Sequence, residues 1–303
     1  MVQPSAPAVV VAAKISPELH GRLGDAYRLV EFADLGSPSP GLRVVVTNSV
    51  TGFSGAQMAV LPDLALIACN GAGADAIDLA EAARRGVAVD LSRDAVSQDT
   101  ADFAIALMFA TVRQVAQGDR FLRAGRWGPE RMGAMPRISG MTVGVVGLGR
   151  IGGLVARKAE GVGMPVRYTG PSPKAGVTWP YDPTPQVLAA NCDVLVLTLP
   201  GGAATRGVVD ASVLKALGPG GYVINVSRGS VVDEAALLDA LSRGAIAGAG
   251  LDVFEHEPAI NMAFAAFDNV VLTPHMAGVT HEARRDMAEH IRGAVDAFFA
   301  AGG

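Results

Sequence analysis

The fold is decided by ten residues near the middle of the chain, Val143-Gly144-Val145-Val146-Gly147-Leu148-Gly149-Arg150-Ile151-Gly152. A predicted buried strand runs directly into the pattern G-x-G-x-x-G, and a predicted helix begins where the pattern ends. Gly147 allows the tight turn, Gly149 lets a pyrophosphate approach the backbone, and Gly152 lets the helix pack closely on the strand. The start of the helix offers unpaired N–H groups and a partial positive charge to phosphate groups. Because strand, loop, helix and a second strand follow in the right order, we interpret the stretch as a dinucleotide-binding loop rather than as a tight structural turn.

Short apolar runs alternate with helical stretches on both sides of this loop. Before it, four runs are typical of buried strands: Val9–Ala13, Arg43–Asn48, Leu64–Asn70 and Val87–Asp90. From residue 142 onward there are six more: Thr142–Val146, Val166–Thr169, Val194–Leu199, Tyr222–Val226, Ala247–Asp252 and Val270–Thr273. Such alternation favours parallel sheets with helices on both faces. Six strands are also what the two βαβαβ halves of a Rossmann domain supply.

Residues 97–124 are predicted to form one long helix, whose start could be capped by Ser97 or Asp99. Its apolar face is broad and comprises Phe103, Leu107, Thr111 and Val115, widened by Ile105, Met108 and Val112. So broad a face needs more than one partner surface. Two interpretations stay open, namely packing at a domain or subunit junction and plain burial within one chain.

The composition of the 303-residue chain narrows the class of protein. Hydrophobic residues make up 50% and charged residues 18%, which is typical of a core-forming protein and not of a disordered chain. The net charge of −4 does not indicate a nucleic-acid partner. Cys69 and Cys192 lie in apolar runs without His or Cys neighbours, so we expect buried thiols in a reducing compartment and no metal. Because Met1–Ala13 shows no signal peptide and no apolar run reaches about 18 residues, we expect a cytoplasmic protein with no membrane partner.

The second strand of the dinucleotide unit ends in Tyr168-Thr169-Gly170-Pro171-Ser172-Pro173-Lys174, without an acidic residue. An Asp or Glu here would bind the ribose hydroxyls of NAD and would repel the 2′-phosphate of NADP. Ser172 and Lys174 could instead bond to that phosphate. We therefore expect NADP(H) to be preferred over NAD(H). The alternative is that Lys174 is an ordinary solvated loop residue.

Three further motifs each follow a predicted strand, at the sheet edge where ligands bind in open α/β sheets. They are Asn225-Val226-Ser227-Arg228-Gly229-Ser230-Val231-Val232-Asp233-Glu234, Gly250-Leu251-Asp252-Val253-Phe254-Glu255-His256-Glu257-Pro258 and Thr273-Pro274-His275-Met276-Ala277-Gly278. With the phosphate loop and Asn70-Gly71-Ala72-Gly73-Ala74-Asp75, they resemble the D-isomer-specific 2-hydroxyacid dehydrogenases over nearly the whole chain. Glu257 and His275 are 18 positions apart, as in that family. Within the family, Gln98-Asp99-Thr100-Ala101-Asp102 and Lys158-Ala159-Glu160 are most similar to glyoxylate and hydroxypyruvate reductases.

The resemblance implies the catalytic roles of three residues. His275 would be the general acid/base, which protonates the developing alkoxide during reduction. Glu257 would hydrogen-bond the other ring nitrogen of His275. Arg228 would bind the substrate carboxylate and polarise the 2-oxo group, a bidentate task that suits a planar guanidinium. Taken singly, each residue also has an ordinary interpretation, as a turn residue, a surface acid or a loop cation.

The resemblance also implies two sets of binding residues. The substrate would be bound by Arg228 and His275 and by a loop, largely through its backbone amides, that contains Asn70, Ala72, Gly73 and Ala74. Asp252 would meet the nicotinamide carboxamide. The whole implied cofactor set is Gly147, Leu148, Gly149, Arg150, Ile151, Gly152, Thr169, Ser172, Lys174, Leu199, Pro200, Thr205, Val226, Ser227, Arg228, Asp252, His275 and Gly278.

The sequence departs from the family pattern at two places. The family commonly has a turn like Thr-Asn-Thr-Pro where this chain has Asp90-Leu91-Ser92-Arg93, which could alter the rim of the pocket or the hinge. The second change is Ala277 in a turn that is HxGG-like in the family, and it should be mild because Ala is small. Both bear on the substrate and not on the reaction type. Trp127 and Met132 lie in a loop that in related reductases can approach the partner's active site; plain packing is the alternative.

The architecture implied by the resemblance is α/β, with two doubly wound parallel-sheet domains, a Rossmann cofactor domain inserted into a flavodoxin-like substrate domain. Residues 1–95 and 277–303 would form the substrate-binding domain, and residues 96–276 the cofactor domain. The substrate would lie in a cleft between them that closes to exclude water. We expect a homodimer through the 97–124 helix, since a two-fold interface would cover its excess apolar face.

The function implied by the resemblance is NAD(P)H-dependent reduction of a small 2-oxo acid, of the glyoxylate or hydroxypyruvate type, to the D-2-hydroxy acid. One alternative is a dehydrogenase of another substrate on the same scaffold, phosphite or formate. Glu257 argues against formate, because formate enzymes of this scaffold have Gln paired to the His; the motifs do not exclude phosphite. The other alternative is a nucleotide-sensing, corepressor-like binding protein, since such proteins retain a similar triad.

Overall fold

The structure, a computed structural model, describes residues 6–303. The prediction that Met1–Ala13 holds no signal peptide therefore falls partly outside the described residues. The strands are β1 (Ala8–Val11), β2 (Arg28–Glu31), β3 (Val44–Asn48), β4 (Leu66–Asn70), β5 (Ala88–Leu91), β6 (Val143–Val146), β7 (Val166–Thr169), β8 (Val194–Leu197), β9 (Tyr222–Asn225), β10 (Gly248–Leu251) and β11 (Val270–Leu272). The helices are α1 (Pro17–Gly24), α2 (Gly55–Val60), α3 (Leu79–Arg85), α4 (Ser97–Val112), α5 (Val115–Arg123), α6 (Arg150–Gly161), α7 (Pro185–Ala190), α8 (Ala211–Leu217), α9 (Glu234–Ser242) and α10 (His281–Ala300).

The chain divides into two compact units. Unit 1 comprises Met1–Val96 and Val279–Gly303, and unit 2 comprises Ser97–Gly278. These bounds differ by one or two residues from the predicted domain bounds. The two predicted parallel-sheet α/β domains are therefore each represented by one unit.

Unit 1 is built on a parallel sheet of five strands in the order β2-β1-β3-β4-β5. Strands β3 and β4 are buried along most of their length, because their side chains are apolar on both faces. Leu19 of α1 and Ile291 of α10 pack into the core on one face. Met58 of α2 and Ala82 of α3 pack into the core on the other. The strand order is that of flavodoxin-like sheets, and the predicted fold class is confirmed.

Strand β2 lies outside the predicted strands. Its sequence, Arg28-Leu29-Val30-Glu31, has only two apolar residues, and it pairs with β1 alone at the edge of the sheet. An edge strand with partly exposed residues carries a weak hydrophobic signal. Pairing with β1, and not apolar content, therefore defines this element.

Unit 2 is built on a parallel sheet of six strands in the order β11-β10-β9-β8-β6-β7. Strand β6 pairs with β7 on one side and with β8 on the other. The phosphate loop begins at the end of β6, which is the point where the strand order reverses and ligands bind in such sheets. A single bridge between Tyr168 and Tyr181 stands where a third strand of the Rossmann order would pair with β7.

The prediction of one long helix over residues 97–124 is wrong. The structure has two helices there, α4 and α5, separated at Gln114, whose backbone is left-handed with φ of 51°. Helix α5 is tied to the loop before β11, because the Gln117 side chain donates a hydrogen bond to the Asp268 carbonyl. Val115, predicted on the apolar face, is consequently 59% exposed. The buried residues of α4 are Ser97, Thr100, Ala101, Ala104, Leu107, Met108, Thr111 and Val112.

Much of the apolar face of α4 is covered within unit 2. The helix packs against α6 and against the strands β9, β10 and β11. Leu107, Met108, Thr111 and Val112 are buried within unit 2, whereas Phe103 and Ile105 are only partly buried, so both interpretations of the sequence stay open.

Over residues 6–303, no helix combines the length and the apolar content that a membrane crossing requires. The same residues contain no group of three or more His, Cys, Asp or Glu side chains that could hold a metal ion. Cys69 and Cys192 are both free thiols. Burial raises the pKa of Cys69 to about 11 and that of Cys192 to about 12, which favours the protonated form of both thiols.

Candidate active site

His275 lies in a turn that follows β11 in unit 2. Its backbone is left-handed, with φ of 50°, which is uncommon for a residue other than glycine. The His275 amide lies 2.8 Å from the Asp252 carbonyl oxygen and 3.1 Å from the Thr273 carbonyl oxygen. These bonds hold the backbone in a conformation that is otherwise disfavoured. The side chain is 42% exposed, so the imidazole is accessible to a ligand.

The carboxyl group of Asp252 braces the same turn. Asp252 follows β10 and is 0% exposed. One of its oxygens accepts hydrogen bonds from Thr273 Oγ1 at 2.6 Å and from the Met276 amide at 2.9 Å. The other accepts from the Ala277 amide at 2.9 Å. Because these donors lie on both sides of His275, Asp252 fixes the segment that carries it; its contact with the nicotinamide carboxamide stays a prediction.

Glu257 and His275 form a hydrogen-bonded pair. Glu257 Oε2 lies 2.6 Å from His275 Nδ1, and Glu257 Oε1 accepts from the Phe254 amide at 2.8 Å. Burial acts to raise the pKa of the Glu257 carboxyl. The hydrogen bonds from His275 and Phe254, with the charges of His275 and Arg228, outweigh burial and hold this pKa below its ordinary value. Since Nδ1 faces Glu257, Nε2 is the ring nitrogen left for a substrate, as general acid/base chemistry requires.

Arg228 is close enough to this pair for its charge to act on Glu257. It follows β9 and is half-buried. Its Nη1 donates to the Ser227 carbonyl at 2.7 Å, and its own carbonyl accepts from Asn225 Nδ2 at 3.0 Å. A Cβ on the next residue, Gly229, would lie 1.8 Å from the Phe254 carbonyl carbon. The loop of Arg228 and the loop of Glu257 are therefore in direct backbone contact, which requires glycine at this position.

A cavity of about 300 Å³ opens beside the Glu257–His275 pair. It is lined by Phe254, Glu257, Pro258, Ile260, Leu272, Thr273, Pro274 and His275. Every lining residue belongs to unit 2, and most of the lining side chains are apolar. The sequence motifs did not indicate this cavity, because Ile260 and Leu272 join it only through the fold.

The phosphate loop has the geometry that a dinucleotide requires. Gly147 has φ of 94°, and a Cβ on Gly152 would lie 2.3 Å from the Gly147 carbonyl oxygen, so neither position accommodates a side chain. At Gly149, in contrast, a Cβ would meet no protein atom within 4 Å. Gly149 is the N-cap of α6, and no side chain caps this helix start. The open space at the helix N-terminus fits the pyrophosphate of a dinucleotide.

The loop after β7 presents no free carboxylate to a ribose. The Gly147 amide donates to the Thr169 carbonyl at 3.0 Å, which joins this loop to the phosphate loop. Ser172 and Lys174 are exposed. Asp182, the next acidic residue along the chain, is buried and paired with Arg167 at 2.8 Å.

The remaining predicted cofactor residues lie at or near the carboxyl ends of the strands of unit 2. Leu148, Leu199 and Val226 are buried, and Arg150 and Ile151 open α6. Thr205 Oγ1 donates to the Pro200 carbonyl at 2.7 Å, and the Ser227 amide and hydroxyl both donate to Asn225 Oδ1 at 3.0 Å. Gly278, half-buried, ends unit 2. Their contacts with a cofactor stay predictions.

The predicted substrate loop follows β4 in unit 1 and includes Asn70 and residues 72–74. Ser92 Oγ accepts from the Gly71 amide at 2.8 Å, and Ser49 Oγ accepts from the Gly73 amide at 3.3 Å. No sequence motif marked these two serines, because they reach the loop from the ends of neighbouring strands. Ser92 lies in the segment Asp90–Arg93, which departs from the family pattern. This segment therefore holds the loop after β4 in place through Ser92.

The loop between α5 and β6 carries Trp127, which is 64% exposed, and the half-buried Met132. Arg126 and Glu130 form an ion pair across this loop at 2.6 Å. An approach of Trp127 or Met132 to a partner's active site stays a prediction.

Known proteins match this chain over most of its length. A family model described as D-isomer specific 2-hydroxyacid dehydrogenase, NAD binding domain, matches residues 105–277. The chain is 38% identical over 299 residues to a 2-ketogluconate reductase of Gluconobacter oxydans, covering 97% of this chain and 96% of the relative. It is 38% identical over 258 residues to a hydroxyphenylpyruvate reductase of Plectranthus scutellarioides, covering 85% of this chain and 82% of the relative. A solved NADPH-dependent glyoxylate/hydroxypyruvate reductase from Sinorhizobium meliloti, in complex with NADP and malonate, has a TM-score of 0.92 at 38% identity, covering 98% of this chain and 95% of that one.

Proposed function

Because the chain belongs to the D-isomer-specific 2-hydroxyacid dehydrogenases, a family of NAD(P)-dependent oxidoreductases, we propose that it reduces a small 2-oxo acid of the glyoxylate or hydroxypyruvate type to the D-2-hydroxy acid. The observation that carries this proposal is the Glu257–His275 pair, with 2.6 Å between Oε2 and Nδ1, within electrostatic reach of Arg228. The solved glyoxylate/hydroxypyruvate reductase from Sinorhizobium meliloti supports the substrate type.

His275 supplies the proton of the reaction. Its Nε2 donates to the C2 oxygen of the substrate as that oxygen becomes an alkoxide. Glu257 is a positioning residue, since its hydrogen bond to Nδ1 fixes the ring and stabilises the protonated imidazole. In the reverse direction the neutral Nε2 accepts the hydroxyl proton of the 2-hydroxy acid.

Arg228 binds the substrate. Its guanidinium pairs with the carboxylate and polarises the 2-oxo group, which makes C2 more electrophilic. In unit 1, the amides of residues 72–74 are donors for a carboxylate, and Ser49 and Ser92 support this role because they hold the loop. When bound, the reduced nicotinamide supplies the hydride that adds to C2.

NADP(H) is the preferred cofactor. The loop at residues 147–152 holds the pyrophosphate, and Ser172 and Lys174 bond to the 2′-phosphate. Two observations support this preference: both side chains are exposed, and the nearby Asp182 is already paired with Arg167. The relative from Sinorhizobium meliloti contains NADP.

The protein acts as a homodimer. Large apolar side chains are exposed on α5 and in the loop that follows it, namely Val115, Leu122 and Trp127. Exposed apolar side chains of this size, on one helix and the loop that follows it, are groups that a subunit interface would cover. Light scattering after size exclusion is the test, and a monomer at micromolar concentration contradicts the dimer. The free thiols of Cys69 and Cys192 support a reducing compartment, the cytoplasm.

The activity is tested by the loss of absorbance at the reduced-nicotinamide band. NADPH and NADH are compared in parallel with glyoxylate and hydroxypyruvate as substrates. Consumption of the cofactor, with formation of the D-2-hydroxy acid, is the expected result. If the protein binds NADPH but none of the tested 2-oxo acids leads to its oxidation, the proposal is contradicted.

A further inference from the structure

The cavity beside the Glu257–His275 pair has a lining that distinguishes between the parts of a 2-oxo acid. Phe254, Ile260 and Leu272 give it apolar walls, and Glu257 is the one acidic group in its lining. Neither Lys nor Arg belongs to the eight described residues that line it. A carboxylate placed here would meet no Lys or Arg, and the one imidazole in the lining is already paired with Glu257, whereas an apolar group would be favoured by the apolar walls.

We propose that this cavity binds the side chain of the substrate, and that it selects an apolar side chain, an aryl group above all. This inference rests on the proposed reduction of a 2-oxo acid. It extends the proposed substrates from the glyoxylate and hydroxypyruvate type to 2-oxo acids with an apolar side chain. It assigns Ile260 and Leu272, which belong to no sequence motif, to substrate selection.

The three groups on C2 of a 2-oxo acid differ in the partner that each requires, and this indicates which group the cavity receives. The oxygen bonds to His275 Nε2, because Glu257 occupies Nδ1. The carboxylate requires a cation such as Arg228, and the residues that line the cavity include neither Lys nor Arg. The side chain is the remaining group. It is attached to C2, whose oxygen bonds to the imidazole that forms part of the cavity wall.

The size and polarity of the cavity favour an aryl group. Its volume of about 300 Å³ is far larger than the hydrogen atom that glyoxylate has in place of a side chain. Bound glyoxylate would therefore leave the apolar walls in contact with water. A phenyl ring would cover these walls and displace that water, which is favourable in proportion to the apolar area removed from solvent. The hydroxyphenylpyruvate reductase of Plectranthus scutellarioides, 38% identical to this chain, is named for a substrate with such a ring.

The test compares phenylpyruvate with hydroxypyruvate, which differ only in the group on C3. For the native enzyme we expect kcat/KM to be at least about tenfold higher for phenylpyruvate, because apolar pockets discriminate by roughly this factor or more. Ile260→Trp fills the cavity, and the ratio of the two kcat/KM values should fall at least about tenfold. Met262→Trp is the matched control: Met262 is two residues away, 67% exposed and outside the lining, so the ratio should stay unchanged.

Three further observations keep the inference separable from folding and from the proposed function. Ile260→Phe, a smaller change, should give an intermediate ratio even where Ile260→Trp fails to fold. Calorimetric titration of D-phenyllactate into the enzyme with NADPH needs no turnover, and Ile260→Trp or Ile260→Phe should weaken this binding. If hydroxypyruvate is turned over and the native ratio lies below about ten, or if neither Ile260 variant lowers the ratio, the cavity inference alone is overturned. Absence of turnover with every 2-oxo acid would overturn the proposed function, and the cavity inference with it.

Discussion

Replacing Asp252 by Asn tests the brace on the His275 turn. In the native protein two buried carboxylate oxygens accept three hydrogen bonds, at 2.6, 2.9 and 2.9 Å. Asn keeps one oxygen acceptor and replaces the other by an NH₂ group. That NH₂ must face at least one N–H donor. In one orientation the donor is the Ala277 amide. In the other it is the Met276 amide, which in the native protein shares its acceptor oxygen with Thr273 Oγ1.

The expected loss of stability follows from this mismatch. A hydrogen bond to a charged group contributes about 1.5–3 kcal/mol, and a buried donor left unpaired costs about 1–3 kcal/mol. We therefore expect Asp252→Asn to lower the free energy of unfolding by about 3 kcal/mol, which corresponds to about 6–12 °C in Tm for a domain of this size. Because the turn positions His275, kcat should fall roughly 10- to 100-fold.

Calorimetric melting and steady-state kinetics measure these effects. Asp233→Asn is the matched control, since Asp233 caps α9 through one bond to the Ala236 amide at 3.0 Å, and Asn caps helices equally well. Thr273→Val separates the brace from a cofactor contact: it removes one of the three bonds and should lower kcat while the KM for NADPH stays unchanged. The reasoning is refuted if Asp252→Asn melts within about 1 °C of the Asp233→Asn control.

Three further predictions concern the catalytic pair and the cofactor. His275→Ala should lower kcat by about 10²- to 10⁴-fold while NADPH binding, followed by fluorescence, is retained; near-normal turnover at neutral pH would contradict its role. The folded-state pKa of Glu257 lies below its ordinary value, so the pair stabilises the fold above the ordinary carboxyl pKa of 4.5, and this contribution is lost as pH falls through the folded-state pKa. The Tm of the native protein should therefore fall more steeply than that of Glu257→Gln on acidification below about pH 4.5, and parallel curves would argue against the pair as a stabilising contact. Lys174→Ala should lower kcat/KM for NADPH by about tenfold or more, with little change for NADH, whereas the exposed Lys215→Ala should change neither; equal losses with both cofactors would argue against a phosphate contact.

The comparison of prediction and structure shows which signals are local. The phosphate loop was predictable because its glycines answer local requirements: the positive φ of Gly147 and the close approach at Gly152 arise within one strand–turn–helix unit. Each apolar run of unit 2 that was predicted as a strand contains one, because buried parallel strands are apolar on both faces.

The break between α4 and α5 shows where such signals fail. Residues 97–124 have the apolar content of one helix, yet Gln114 is left-handed and Val115 is exposed. The bond from Gln117 to the Asp268 carbonyl joins residues 151 positions apart, and no local pattern reports it. Strand β2 is a similar case, since its pairing with β1 defines it.

The sequence by itself determined the α/β class and the dinucleotide loop, because these depend on residue type and on spacing along the chain. It also indicated Arg228, Glu257 and His275 as candidates, through the resemblance that its motifs carry. Only the tertiary structure decided that Asp252 braces the His275 turn, that Ser49 and Ser92 hold the loop after β4, and that an apolar cavity lies beside the catalytic pair. The physical reason is that these features arise between segments far apart in sequence. Hydrogen-bond partners and cavity walls are set by how strands and loops pack, and packing is not encoded in any one segment.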